Sequence, residues 1–157
     1  MSEQRGFAGT IPISSNFLFE VDGVQIGEFM EVSGLELKIE TESYEEGGEN
    51  GFVHTFPGRM TWPNLVLKRG VIKADALFDW VSKSSGDAFA SNGNKVTRCT
   101  GAVVLMGNGS TRLRSYELKD AFPVRWTGPR LNVDEQRTLV EELEVAHHGF
   151  KSKTATN

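Results

Sequence analysis

Phe17-Leu-Phe-Glu-Val-Asp-Gly-Val-Gln-Ile-Gly-Glu-Phe29 decides the fold of this chain. Phe17, Phe19 and Val21 fall on one face of an extended segment, and Leu18, Glu20 and Asp22 fall on the other, because successive side chains of a strand alternate. Asp22-Gly23 then supplies the two residues that most readily adopt positive φ, so the segment predicts a hairpin with a two-residue turn and a return strand over 24–29. The same alternation resumes after Glu31-Val-Ser-Gly-Leu35. Leu35, Leu37, Ile39 and Thr41 alternate with Glu36, Lys38, Glu40 and Glu42, which predicts a long strand with one solvated or interface face.

Tyr44-Glu-Glu-Gly-Gly-Glu-Asn-Gly51 follows, with three glycines and three glutamates in eight residues. That composition predicts a mobile acidic loop, flanked by chain able to extend as a long hairpin. Phosphate binding is excluded on chemical grounds. The lysine of a phosphate-cradling loop is absent, and the glutamates repel an anion.

At 157 residues, 38% apolar and 24% charged, the chain is sized for one compact domain over 1–157. Residues 1–15 read as an N-terminal arm and 151–157 as a loose C-terminal tail. The net charge of −4 gives no general attraction to nucleic acid. No segment reaches the roughly 20 apolar residues needed to span a bilayer, and Met1 to Ser15 lacks a secretory pattern, so folding in the cytoplasm without membrane insertion is expected. Cys99 is the only cysteine, which rules out an intrachain disulfide and leaves burial or association to supply stability.

One helix is predicted. Ala74, Leu77, Phe78 and Val81 have helical spacing, Asp75 lies near the start and Gly86 beyond the end, with Trp80 flanking the stripe as an aromatic that closes one end of a barrel or sandwich. Residues 82–94 read as a loop. Strands return at 96–106 and 111–121, and Pro123 and Gly128-Pro129 punctuate a short strand around 124–126, in which Trp126 anchors the core or a neighbouring copy. For the last element, Leu139, Val140 and Leu143 permit a helix, while Leu139, Leu143, Val145 and His147 share one face of a strand.

The catalytic inventory is poor. His147 and His148 are adjacent, and on a strand they point to opposite faces, which makes a poor metal pair; His54 is alone. Cys99 lies in a strand-like run without a nucleophile motif and reads as a small packed residue. Charge distribution says more than charge total. Seven acidic residues and one lysine occupy 31–50, whereas seven basic and two acidic residues occupy 95–130. Glu45, Glu46 and Glu49 are therefore candidates to face Arg112, Arg114 or Arg125 across copies, set against the plainer reading of solvated faces.

The order of these blocks, with Pro57-Gly-Arg-Met-Thr-Trp-Pro-Asn-Leu-Val-Leu-Lys-Arg-Gly70, Gly128-Pro-Arg-Leu-Asn132 and Glu141-Glu-Leu-Glu-Val-Ala-His-His-Gly-Phe150, resembles the tail-tube proteins of contractile phage tails and phage-tail-like injection systems. The resemblance runs from about Asn16 to Phe150. It favours the strand for the closing segment, and it implies a mainly β fold: a small barrel or two packed antiparallel sheets with one short helix and a long extended loop. It implies that Tyr44, Glu45, Glu46, Gly47, Gly48, Glu49 and Asn50 contact the next subunit or ring. Further implications are hexameric rings of this chain stacked into an inner tube, a contractile sheath protein, baseplate and spike proteins as partners, DNA or protein cargo in the lumen, no cofactor and no catalysis. The particle would be assembled in the bacterial cytoplasm and end as a phage tail or injection machine. The alternatives are a type VI secretion ring protein that carries cargo, and a small monomeric binding module.

Overall fold

The computed structural model describes residues 16–48, 51–73, 75–107, 110–133 and 139–154. Ten strands and two short helices follow one another as β1 (Asn16–Val21), β2 (Val24–Phe29), β3 (Glu31–Ser33), β4 (Lys38–Tyr44), β5 (His54–Thr61), β6 (Leu65–Gly70), α1 (Ala76–Lys83), α2 (Gly86–Ser91), β7 (Cys99–Met106), β8 (Arg112–Thr127), β9 (Val140–Ala146) and β10 (Phe150–Thr154). The β1–β2 hairpin turns at Asp22-Gly23 as the sequence predicts, with φ of 49° and 78°. Every strand pairing is antiparallel.

The strands run in the order β2-β1-β7-β8-β9-β6-β3, with β10 also paired to β8, and β4 and β5 form a separate two-stranded sheet. The sheet folds over on itself at β8. Its first part pairs with β7 and β10, and its last part pairs with β9. Asp120 at φ 53° and register shifts at 99–101 and 123–125 bend the strand between the two parts. The strands thus make one antiparallel sheet bent at the long strand β8, with the β4–β5 pair apart from it, and no closed barrel forms among the described residues. Pro123, expected to punctuate two segments, lies inside β8 at the register shift, where a missing N–H costs the ladder little.

Packed together in the core are Phe19, Phe29, Leu65, Leu67, Val103, Leu118, Leu143 and Val145, all buried. Phe19 meets Phe29 edge-on at 6.2 Å and Trp80 at 5.6 Å between ring centroids. Helix α1 closes this core with Leu77 and Trp80, three residues apart and so on one face. This corrects the predicted stripe: Trp80 is the buried aromatic, and Phe78 is 53% exposed with its ring edge-on to Trp126 at 5.4 Å. Ala74 falls outside the described residues. Helical spacing leaves the rotation of a two-turn helix undetermined by about one residue, and burial of the larger indole settles it.

Two other expectations change. The stretch 82–94 contains the six-residue helix α2, stacked on α1, where a loop was expected. The tail from 151 is ordered as far as Thr154 because it adds a strand to β8. Phe150 packs on Trp62 and Tyr116 at 5.1 and 5.9 Å, and Lys153 Nζ donates to Glu117 Oε1 at 2.6 Å across the ladder. The expected strand from Leu35 begins later, at Lys38. The closing segment is the strand β9, as the resemblance favours. Arm 1–15 and residues 155–157 lie outside the described residues.

Candidate subunit interface

The β4–β5 hairpin is the part of the chain least attached to the rest. Among the described residues its strands pair only with each other, in the register Lys38↔Thr61, Ile39↔Met60, Thr41↔Pro57, Glu42↔Phe56, Ser43↔Thr55 and Tyr44↔His54. Almost every residue of both strands is exposed. A bulge near Glu40 opposes it with both Gly58 and Arg59, which raises the local twist.

The hairpin is not polar despite this exposure. Alternation puts Phe52, His54 and Phe56 on one side of the chain, with Tyr44 opposite His54. Phe52 meets His54 edge-on at 4.9 Å, and His54 stacks on Phe56 at 6.4 Å. Phe52 is 61% and Phe56 55% exposed, so a row of rings faces outward with no covering layer among the described residues. Isolated exposed apolar residues are ordinary, but contiguous ones mark association surfaces. The acidic turn sits beside this row: Glu46 Oε2 lies 3.8 Å from His54 Nε2, and Gly48 takes a φ of 107°. Glu45, Gly47 and Tyr44 are exposed there, while Glu49 and Asn50 lie outside the described residues.

The basic candidates are all on β8, and each has a partner in its own chain. Arg112 forks onto Glu20, Arg114 Nη1 donates to Ser152 at 3.1 Å, and Arg125 reaches Glu144 at 3.3 Å and Glu142 at 3.5 Å. All three are exposed, so these pairs are held weakly and are exchangeable. Among the described residues, no ion pair joins the loop residues Tyr44 to Gly48 to these arginines within one chain. The aromatic row was missed by the sequence reading. The i, i+2 spacing of Phe52, His54 and Phe56 is the signal that shows it.

Side chains with reactive chemistry are held quiet. Burial raises the Cys99 thiol above its ordinary pKa, and the nearby Asp22 adds to this, which disfavours the thiolate. Burial lowers the His147 pKa, against a raising effect of the Pro63 backbone, and His147 Nδ1 accepts from the Gly149 N–H at 3.1 Å. His148 points the other way, exposed, between Arg98 and Asp120. No group of three metal-capable side chains occurs among the described residues.

Sequence comparison bears directly on this arrangement. The family of T4-like virus tail tube protein gp19 matches residues 14–151. The chain belongs to that tail tube family. Solved structures share its fold. A chain from the anti-feeding prophage baseplate is 24% identical, covering 93% of this chain and 97% of that one, with a TM-score of 0.75. A chain from an extracellular contractile injection system, the PVC sheath-tube complex in its extended state, is 23% identical, with 95% of each chain covered and a TM-score of 0.76. Hcp1 from Salmonella typhimurium is more distant: 14% identical, with 90% and 87% covered and a TM-score of 0.52. No curated protein sequence matches the chain. In this tail tube protein the projecting hairpin and its acidic turn coincide with the segment for which family resemblance implies subunit contact.

Proposed function

We propose that this tail tube protein is the repeating subunit of the inner tube of a contractile injection apparatus, built as hexameric rings stacked inside a sheath, with DNA or protein cargo in the lumen. The family match over 14–151 carries this reading. The hairpin supports it physically. A surface of exposed rings on an arm whose strands, among the described residues, pair only with each other suits a contact with another copy, and a contact between unlike surfaces closes into rings or runs on as a filament. The role is structural and needs no cofactor. Contraction of the sheath drives the rigid tube through a target envelope. Sheath and baseplate proteins are the expected partners, since relatives of the same fold come from a sheath-tube complex and a baseplate. No described helix is long and apolar enough to cross a membrane. The particle is a phage tail or an injection machine.

Negative-stain microscopy of the purified chain, alone and with its sheath partner, tests the reading: six-fold rings and tubes are expected. Sedimentation as a monomer at every concentration, with sheath present, would favour a small binding module instead. The fold shared with Hcp1 supports a second reading, a type VI secretion ring protein. Rings that engage a type VI sheath and retain effector protein in the lumen would select it.

A further inference from the structure

His147-His148-Gly149 connects β9 to β10 as a tight corner laid against the bend of β8. The His148 N–H donates to Lys119 O at 2.8 Å and the Lys119 N–H donates to Gly149 O at 2.9 Å, so two backbone bonds tie the corner to β8 just before Asp120. Gly149 takes a φ of 114° with the Trp62 indole against it, where a Cβ would lie 3.0 Å from the ring. From this corner β10 runs back along β8, with which alone it pairs among the described residues. Beyond Phe150 every residue of β10 is exposed. The strand is therefore held by its ladder, by Phe150 on Trp62 and Tyr116, by the Lys153–Glu117 pair, and by the corner itself.

His147 pins the corner from inside, at 7% exposure. Its ring centroid lies 6.2 Å from that of Trp62 and 6.1 Å from that of Phe150. Because Nδ1 accepts from the Gly149 N–H, the proton of the neutral ring sits on Nε2, which is buried without a hydrogen-bond partner. A second proton has only Nδ1 to go to. There it removes the acceptor of the Gly149 N–H and leaves a buried cation with two unmet donors, a state that water relieves. The groups packed on the ring, Trp62, Pro63 and Phe150, are uncharged, and the titratable neighbour His148 opposes a second positive charge. The Pro63 backbone favours the charged ring, but burial outweighs it. His148 itself is turned outward, with Asp120 Oδ2 at 3.2 Å from Nδ1 and Arg98 Nη1 at 2.9 Å from Nε2.

We propose that this corner is an acid-released latch: a proton on His147 Nδ1 opens it and frees β10 from β8, while the rest of the sheet stays folded. The core around Phe19, Phe29 and Val103 does not include His147, so the corner can open without it. Release uncovers the edge of β8 from Arg114 to Leu118, a row of backbone donors and acceptors that another strand can pair with. The device lies within one chain and does not depend on the tube reading.

Hydrogen exchange of the purified chain, corrected for the intrinsic rate at each pH, tests it. Protection of the slow amides of β10 should fall by up to about tenfold per pH unit below about pH 6.5, and level off below the lowered folded-state value, while β1 and β7 keep theirs. His147→Asn supplies a side-chain carbonyl in place of Nδ1 and takes up no proton, so it should hold β10 across the whole range. His148→Gln should respond to acid as the parent does. Where the smaller asparagine does not fold, the parent and His148→Gln decide the matter. Acid-insensitive protection of β10 overturns the latch, and so does a loss shared equally by β1 and β7. An acid response that survives His147→Asn, or that vanishes in His148→Gln, overturns it as well.

Discussion

Arg69 and Glu141 are directly opposite one another on β6 and β9, and the Arg69 Nε donates to the Glu141 carboxylate. Trp126 Nε1 donates to the other oxygen of the same carboxylate at 3.2 Å, so one buried acid ties β6, β8 and β9 together. Removing one partner of such a pair strands a charge in the interior. Glu141→Ala is expected to destabilise the chain by about 3–5 kcal/mol, whereas Arg69→Met with Glu141→Leu should recover much of that loss. Denaturant unfolding of the single and double variants measures both. A single variant as stable as the parent would show that water reaches the guanidinium.

Trp80 and Phe78 should differ sharply. Trp80 is buried on Phe19, and Trp80→Ala is expected to cost about 3–5 kcal/mol. Phe78→Ala removes a half-exposed ring resting on Trp126 and should cost less than half as much. Equal losses in thermal unfolding would mean that the helix is rotated from the arrangement described.

Stability should fall in mild acid because of His147. Burial lowers its folded-state pKa below the ordinary 6.5, so the folded chain holds it neutral while the unfolded chain takes up a proton. The contribution is complete above about pH 6.5 and is lost as pH falls through the lowered value. Protonation at Nδ1 also breaks the bond from the Gly149 N–H, next to the corner where the Lys119 N–H donates to Gly149 O at 2.9 Å. His147→Phe should flatten the fall of the melting temperature below about pH 6.5. An NMR titration placing His147 at or above 6.5 would refute this.

Reversing Glu45, Glu46 and Glu49 to lysine tests whether the acidic turn meets a basic surface on another copy. The monomer should keep its stability to within about 0.5 kcal/mol, since the described glutamates of the turn are exposed. Assembly should weaken, raised salt should weaken the parent assembly through screening, and reversal of Arg112, Arg114 or Arg125 should restore part of it. Normal tubes from the triple variant at low salt would end this pairing, and would leave a contact through Phe52 and Phe56 untouched.

Amide exchange across 44–51 should slow on assembly, because backbone ordered against another copy loses access to water. Equal exchange in monomer and assembly would remove the turn from the interface.

Local chemistry made part of this protein legible from its residues alone. Asp22-Gly23 turns because those residues accept positive φ, and the alternation through Ile39 and Thr41 extends because a strand has period two. The run from Tyr44 to Gly51 cannot pack a core of its own, and its residues Tyr44 to Gly48 are exposed, as that composition leads one to expect. The order of such blocks was enough to reveal family resemblance. Other features depend on residues far apart in the chain. Nothing near Arg69 in sequence announces Glu141, 72 residues on, or the gap over Gly27 that leaves Nη1 bare. Pro123 looked like an end and became the corner of β8, because the β9 register shifts there. Residues from Lys151 looked like a tail until Phe150 found Trp62 and Tyr116. Turns and periodicity are set by steric limits within a few residues, while the rotation of a helix, the capture of a last strand and the burial of a charge are decided by which distant surfaces exclude water together.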